Sequence, residues 1–340
     1  MKLTRRQLGA LGLGTIGWLG GSSPRRTRSA QVGGAATERR EYPFYQYDVF
    51  TSQAMSGNQL AVFTSPEGLS DDQMQALALE MNFSESTFVF PPDDPDHSAR
   101  VRIFTRTREL PMAGHPVIGT AFALALDGVF PVDSRRGVFE LGIGPTGLDL
   151  EWKRGALDFA WMEQANPSFG AEIANKGLAA EGMGLPSDAI EPELPIQEVD
   201  CGATFWIVPL KRRSHVDSVQ MNAAAWQLAF EQAGVQRRGL MMFSSEAADD
   251  GAQAYCRMMG SSGFEDPATG SAAGPLGSYL IHHGVVPRDQ GTQIHVRQGV
   301  KMNRPSSLFI HVESDETTRQ IVRVRVGGRS VLSGKGVMYV

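Results

Sequence analysis

The chain is short of cysteine and of any excess of basic charge, and each shortage removes a class of protein. Two cysteines, Cys201 and Cys256, occur in 340 residues. They are too few for a disulfide framework and have no metal-ligand spacing. Lys and Arg number 32 against 37 Asp and Glu, a net charge of -5. No basic domain or stripe therefore points to nucleic acid. Outside the first 40 residues there is also no polybasic segment for a membrane surface. What is present is ordinary for a globular protein: 41% hydrophobic and 20% charged residues, enough to bury a sizeable core in one or two domains.

The N-terminus stands apart. MKLTRRQLGALGLGTIGWLGG has a basic start followed by an uncharged Gly/Leu stretch over residues 8–21. Those 14 residues fall short of the roughly 20 that a spanning helix needs. They fit the apolar region of an export signal instead, and Thr4-Arg5-Arg6-Gln7-Leu8 resembles a twin-arginine signal. The expectation is export to the periplasm or beyond, with no stable membrane span in the mature chain; an uncleaved tail on a cytoplasmic protein is the alternative. Residues 22–41 read as linker, so the folded part starts near Tyr42.

From there strand and helix signals alternate. YQYDVFTS and LAVFTS read as strands around the Ser56-Gly57-Asn58 break. Ser70-Asp71-Asp72-Gln73 is a capping box, with Met74, Leu77, Ala78 and Met81 at helical spacing and an end near Asn82. SESTFVF and ARVRIFTRT read as strands, residues 137–162 as antiparallel strands with Gly turns, and AAAWQLAFEQAG as a helix between the strands VDCGATFWIVPL and GLMMFSS. Residues 164–195 carry no clear strand and read as a crossing between domains; the last 50 residues are nearly all strand. The class is α+β, with an N-terminal domain over 42–163, completed by about 330–340, and a C-terminal domain over 164–329.

A repeat sharpens this. Residues 111–131 slide onto 267–287 at an offset of 156. Pro111 then falls on Pro267, Gly114 on Gly270, Leu124 on Leu280, Gly128 on Gly284, Val129 on Val285 and Pro131 on Pro287. Both copies read as a turn, a tight glycine, a helix and a glycine cap, which predicts two similar domains, each with a central helix. His115 and Ser271 follow the leading glycines. The first N–H groups of a helix have no intrahelical partner and bind anions, and small residues let a ligand approach them. Two such N-termini across a cleft would hold a carboxylate, with Glu85 and Asp266 placed to act on a proton. The residues alone equally allow an ordinary helix cap and a solvated glutamate.

The motifs resemble a known family. Asp48-Val49-Phe50-Thr51 with Gly57-Asn58-Gln59-Leu60-Ala61-Val62, Met81-Asn82-Phe83-Ser84-Glu85-Ser86, Arg102-Ile103-Phe104-Thr105 leading to Glu109-Leu110-Pro111-Met112-Ala113-Gly114-His115-Pro116, and Glu265-Asp266-Pro267-Ala268-Thr269-Gly270-Ser271-Ala272 are together similar to the PhzF-like phenazine-biosynthesis family. Gln298-Gly299, Arg304-Pro305-Ser306 and Val326-Gly327-Gly328 extend the likeness to the tail. The resemblance implies a diaminopimelate-epimerase-like fold: two pseudo-symmetric halves, each a curved sheet or open barrel around a central helix, with the site between them. It implies a metal- and cofactor-independent isomerase that moves a proton on a small carboxylate-bearing substrate, as in the isomerisation of a dihydro-hydroxyanthranilate. By motif position Glu85 is the acid/base, Asp266 and His115 bind and polarise the substrate, Gly114, Gly270 and Ser271 offer backbone donors, and Asn58 shapes the pocket floor. Relatives are often dimers, so a homodimer is a possible state. Gln59 stands where the family usually has proline, and Pro305 follows Asn303-Arg304 where glycine is usual.

Other chemistries fit less well. Epimerases of this fold use paired cysteines, but neither cysteine lies in the leading motifs. Ser271 as a hydrolase nucleophile lacks a G-x-S-x-G elbow, and a capping role suits its hydroxyl better. His282-His283 reads as charge near a helix end rather than a metal site. A non-catalytic, exported binder would keep every carboxylate-binding feature and drop only the need for Glu85.

Overall fold

The computed structural model describes residues 39–260, 263–288 and 293–340; the leader expected over residues 1–38 lies outside them. Residues 40–340 form one compact unit in which a single strand pattern is laid down twice. In the first half Glu41–Val49 pairs antiparallel with Asn58–Phe63, which runs parallel to Glu85–Phe90. Ala99–Thr105 pairs antiparallel with that strand and parallel with Arg136–Leu141, and Gly144–Lys153 and Ala156–Gln164 close the meander. The second half repeats each pairing in the same order. Gln197–Asp200, Thr204–Pro209, Gly239–Ser244, Ala254–Met259, Ile294–Gln298, Ser306–Ser314 and Ile321–Gly328 follow with the same alternation of antiparallel and parallel neighbours. The two-residue strands Glu109–Leu110 and Glu265–Asp266 also hold matching places, each paired to the strand before it.

Sequence chemistry explains the layers. Ser306–Ser314 alternates buried Leu308, Ile310 and Val312 with more exposed neighbours, the mark of a sheet with one face on the core. The helices Gly114–Leu126 and Gly270–His282 are apolar almost all round, and such a helix is stable only inside a core. Each has 13 residues, and their bounds keep the offset of the sequence repeat. Between the parallel strands of the first half lies Asp71–Met81, with both bonds of the Ser70/Gln73 capping box formed and Asn82 ending it in the left-handed conformation. Arg213–Ser218 and Ala223–Ala233 fill the corresponding place in the second half. No helix among the described residues is long and apolar enough to cross a membrane.

Strand pairing and a partly buried arginine stitch the halves together. Ala156–Gln164 pairs with Ile321–Gly328. After that strand the chain returns, and Ser330–Tyr339 runs beside Glu41–Val49. Arg304 reaches back to Asp48 at 2.6 Å and to the carbonyls of Ser56 and Gly57.

Some expectations need correction. Residues 164–195 contain the strand Ser168–Glu172, paired to Gln197–Asp200, and the helix Lys176–Gly182. VDCGATFWIVPL is a hairpin rather than one strand, because Asp200 accepts from the Gly202 N–H at 2.8 Å and Gly202 takes a left-handed φ of 95°. Cys201 and Cys256 are buried and unpaired. His283 does not serve as a helix-end charge. It sits partly buried with Nε2 2.8 Å from Gln197 Oε1, and burial lowers its pKa, which favours the neutral ring.

Candidate active site

The repeat brings the two central helices together end to end. A Cβ built on Gly114 would lie 2.5 Å from the Gly270 Cα, and one on Gly270 would lie 3.0 Å from the Gly114 Cα. No other residue allows this approach of backbone to backbone. The preceding residues, Ala113 and Thr269, cap neither helix with a side-chain hydrogen bond. The leading N–H groups of both helices are thereby left at the floor of a cleft of about 750 Å³. Gly114, Gly270 and Ser271 all line it, as do Glu85, His115 and Asp266. Ser271 is the second residue of its helix and not its cap, so its hydroxyl does not hold the capping place expected of it.

Glu85 opens the strand Glu85–Phe90 and keeps 16% side-chain exposure, through the cleft. Burial, and then the neighbouring charge of Asp266, lifts its carboxyl from the ordinary value to about 8, with Arg106 opposing. His115 Nε2 lies 3.5 Å from Glu85 Oε2 and has no hydrogen-bond partner among the described residues. This is not an ion pair. Burial drives the imidazole down to about 3, so the ring is neutral at physiological pH.

Asp266 is held from three sides. Ser84 Oγ and Asn58 Nδ2 donate to its Oδ1, each at 2.8 Å, and Thr269 Oγ1 donates to its Oδ2 at 2.6 Å. Burial raises its pKa while these three donors pull the other way, so Asp266 is better equipped than Glu85 to carry the negative charge. Asn58 also donates to the Ala268 carbonyl at 2.9 Å and lies 3.1 Å from His115 Nδ1. It does not shape the pocket floor, as its motif position implied. It lies behind it, 1% exposed, and couples Asp266 to His115.

Sequence reasoning missed Gln298. Its amide donates to the Asp266 carbonyl at 2.8 Å and to Thr269 Oγ1 at 3.0 Å, and its Oε1 accepts from the Thr269 N–H. A fully buried glutamine clamping one turn was signalled only by Gln298-Gly299 among the family motifs. Ser84 and Thr269 stood inside quoted motifs without a role. Among the described residues no group of three or more His, Cys, Asp or Glu side chains could hold a metal.

The class of protein follows from this arrangement and from the match it finds. The signature described as phenazine biosynthesis-like protein (PhzC-PhzF) covers residues 47–336, and the chain belongs to that family. Trans-2,3-dihydro-3-hydroxyanthranilate isomerase of Pseudomonas chlororaphis is 33% identical over 296 residues, covering 86% of this chain and 97% of that protein. With that relative, this chain is an isomerase. The phenazine biosynthesis protein of the PhzF family from Bacillus anthracis superposes with a TM-score of 0.79 at 23% identity, over 88% of this chain and all of that one. A hydroxyproline epimerase from Agrobacterium vitis shares the fold at a TM-score of 0.60 and 13% identity. The α+β class expected from the strand pattern and the epimerase-like fold implied by the resemblance are the architecture observed.

Proposed function

We propose that this isomerase shifts a proton between two carbons of a small carboxylate-bearing substrate, without metal or cofactor, and that Glu85 carries the proton. The observation behind the reading is a single carboxyl with a pKa of about 8 facing the cleft beside two open helix N-termini. The substrate carboxylate accepts hydrogen bonds from the N–H groups of Gly114, Gly270 and Ser271. Ionised Glu85 removes a proton from a carbon next to the unsaturated system, and the electron pair of that C–H bond moves into a new double bond as the old one shifts. The protonated Glu85 then returns the proton to the far carbon and is regenerated. A carboxyl titrating near the working pH can do both steps. Asp266, its charge held by Ser84, Asn58 and Thr269, binds the substrate's amino or hydroxyl group, and neutral His115 sets the orientation.

The substrate named for the Pseudomonas chlororaphis relative, trans-2,3-dihydro-3-hydroxyanthranilate, is the first compound to try. Incubated in D2O, wild type should place deuterium in the product, while Glu85→Gln should bind the compound with little change and exchange on the order of 10³-fold more slowly. Exchange by the Gln variant at the wild-type rate removes Glu85 as the base. Binding by wild type without exchange of any ligand proton favours a non-catalytic binder. Export by a twin-arginine-type signal and a homodimeric state belong to the same proposal. Arg5→Lys with Arg6→Lys should retain precursor in the cytoplasm, and unchanged fractionation would return residues 1–41 to a plain tail.

A further inference from the structure

We infer that this cleft prefers a dicarboxylate, whose second carboxylate is received by Arg106, to a monocarboxylate of the same skeleton. The inference rests on the proton-shift reading of the same cleft and adds the class of molecule that fills it. Three observations lead to it. First, the cleft extends beyond the helix N-termini: at about 750 Å³ it lies within the roughly 300–1,000 Å³ usual for small-molecule sites, and Arg106 and Phe264 line it together with Glu85.

Second, Arg106 is a half-buried cation without an anion. Other partly buried arginines of this molecule have one: Arg102 holds Glu109 and Asp71, Arg257 holds Glu265, and Arg304 holds Asp48. Arg106 lines the cleft, yet no carboxylate among the described residues lies within 4.0 Å of its guanidinium. Its one side-chain hydrogen bond among the described residues is a long one of 3.4 Å to Asn82 Oδ1. A guanidinium at the side of a cleft, with its donors largely unspent, is suited to an incoming carboxylate.

Third, the side chain is already positioned. Its guanidinium carbon lies 4.5 Å from the centre of the Phe264 ring, which comes from the other half of the molecule. A guanidinium held against an aromatic ring keeps its N–H donors for a bidentate partner and loses less freedom when one arrives. Arg106 lines the same cleft as Glu85, and its charge is felt by the Glu85 carboxyl. One end of the ligand therefore lies on the helix N-termini, the proton moves at Glu85, and the other end meets Arg106.

The test is calorimetric titration of the full chain at one ionic strength with matched probes: benzoate against isophthalate and terephthalate, pentanoate against glutarate, hexanoate against adipate. At least one dicarboxylate should bind about tenfold more tightly than its monocarboxylate partner, the gain expected of one charge-assisted pair. Arg106→Gln should erase that preference while keeping the urea unfolding midpoint of wild type, which shows that the variant is folded. Arg106→Lys should restore part of it. No dicarboxylate preference in wild type, or one that survives Arg106→Gln, overturns the inference while the proton-shift reading stands on its own deuterium exchange. Failure of every probe, monocarboxylates included, overturns the inference and the carboxylate anchor at the helix N-termini, while deuterium exchange alone decides the proton shift.

Discussion

Set side by side, the strand that begins at Glu85 and the strand that begins at Gly239 hold the same place in the two halves, as do the helix residues His115 and Ser271. Asp266, in the short strand after the second crossing, has Leu110 as its counterpart. Duplication has preserved the backbone and not the reactive groups. An acid lies at the start of a strand in one half and in the short hairpin of the other, and neither is matched by an acid at its counterpart. A machine that takes a proton from one face and returns one from the opposite face would use like groups at like positions. The observed pattern instead suits one mobile proton on Glu85 and one fixed charge on Asp266.

The largest way to break this asymmetry is Glu85→Gln. It should lower deuterium exchange on the order of 10³-fold, the usual scale for losing a general acid/base, read by mass spectrometry of the product. A smaller residual loss, shared equally with Asp266→Asn, would mean that two bases take turns.

Next comes the contact between the helix ends. Gly114→Ala drives a Cβ to 2.5 Å from Gly270 backbone, whereas Gly270→Ala meets the Phe50 ring edge at 2.9 Å. Both should destabilise, Gly114→Ala more strongly, on the order of 1–3 kcal/mol by urea unfolding. Equal costs would show that the backbone approach is looser than the ring contact.

Two groups of the first half also set opposite pH slopes. Glu85 holds its proton in the folded state up to about 8 and unfolded only to about 4.5, so the folded state binds more protons in that window. Stability from this group is full below about 4.5 and falls as pH rises towards 8. His115, pushed from 6.5 to about 3, contributes stability that is full above 6.5 and falls as pH drops towards 3. Thermal or urea unfolding of Glu85→Gln should therefore gain on wild type between pH 5 and pH 8, on the order of 1–3 kcal/mol. A difference that does not change with pH would return Glu85 to an ordinary carboxyl.

The smallest effect belongs to the second half. Ser271 offers the substrate its backbone N–H, so Ser271→Ala should hold the exchange rate within about threefold, because only an exposed hydroxyl is lost. A loss as large as that of Glu85→Gln would revive the hydroxyl as a nucleophile.

Much of this was legible before any coordinates. The offset of 156 is carried by Gly and Pro, whose backbone demands are the same in both copies, and the helices it marked have matching bounds. Glu85, His115 and Asp266 stood in motifs and all line one cleft. What stayed hidden has physical reasons. Ser168–Glu172 is a mostly exposed edge strand, so no alternation betrays it. Ala254–Met259 is buried on both faces and shows no period of two. Gln298 works 29 residues from Thr269, and Arg106 lies across the cleft from Phe264; no local pattern records either contact.

The return of the last strand to the first has a consequence for the birth of the protein. Glu41–Val49 leaves the ribosome long before its neighbour Ser330–Tyr339, and Arg40 and Val340 close the seam with hydrogen bonds of 3.0 and 3.1 Å. At about 5–20 residues per second, one edge of the nascent sheet waits on the order of tens of seconds for its partner. An open edge of that length is a template for foreign strands. Each newborn chain therefore passes through an interval in which that edge is uncovered, and a chain cut before Ser330 would keep it so.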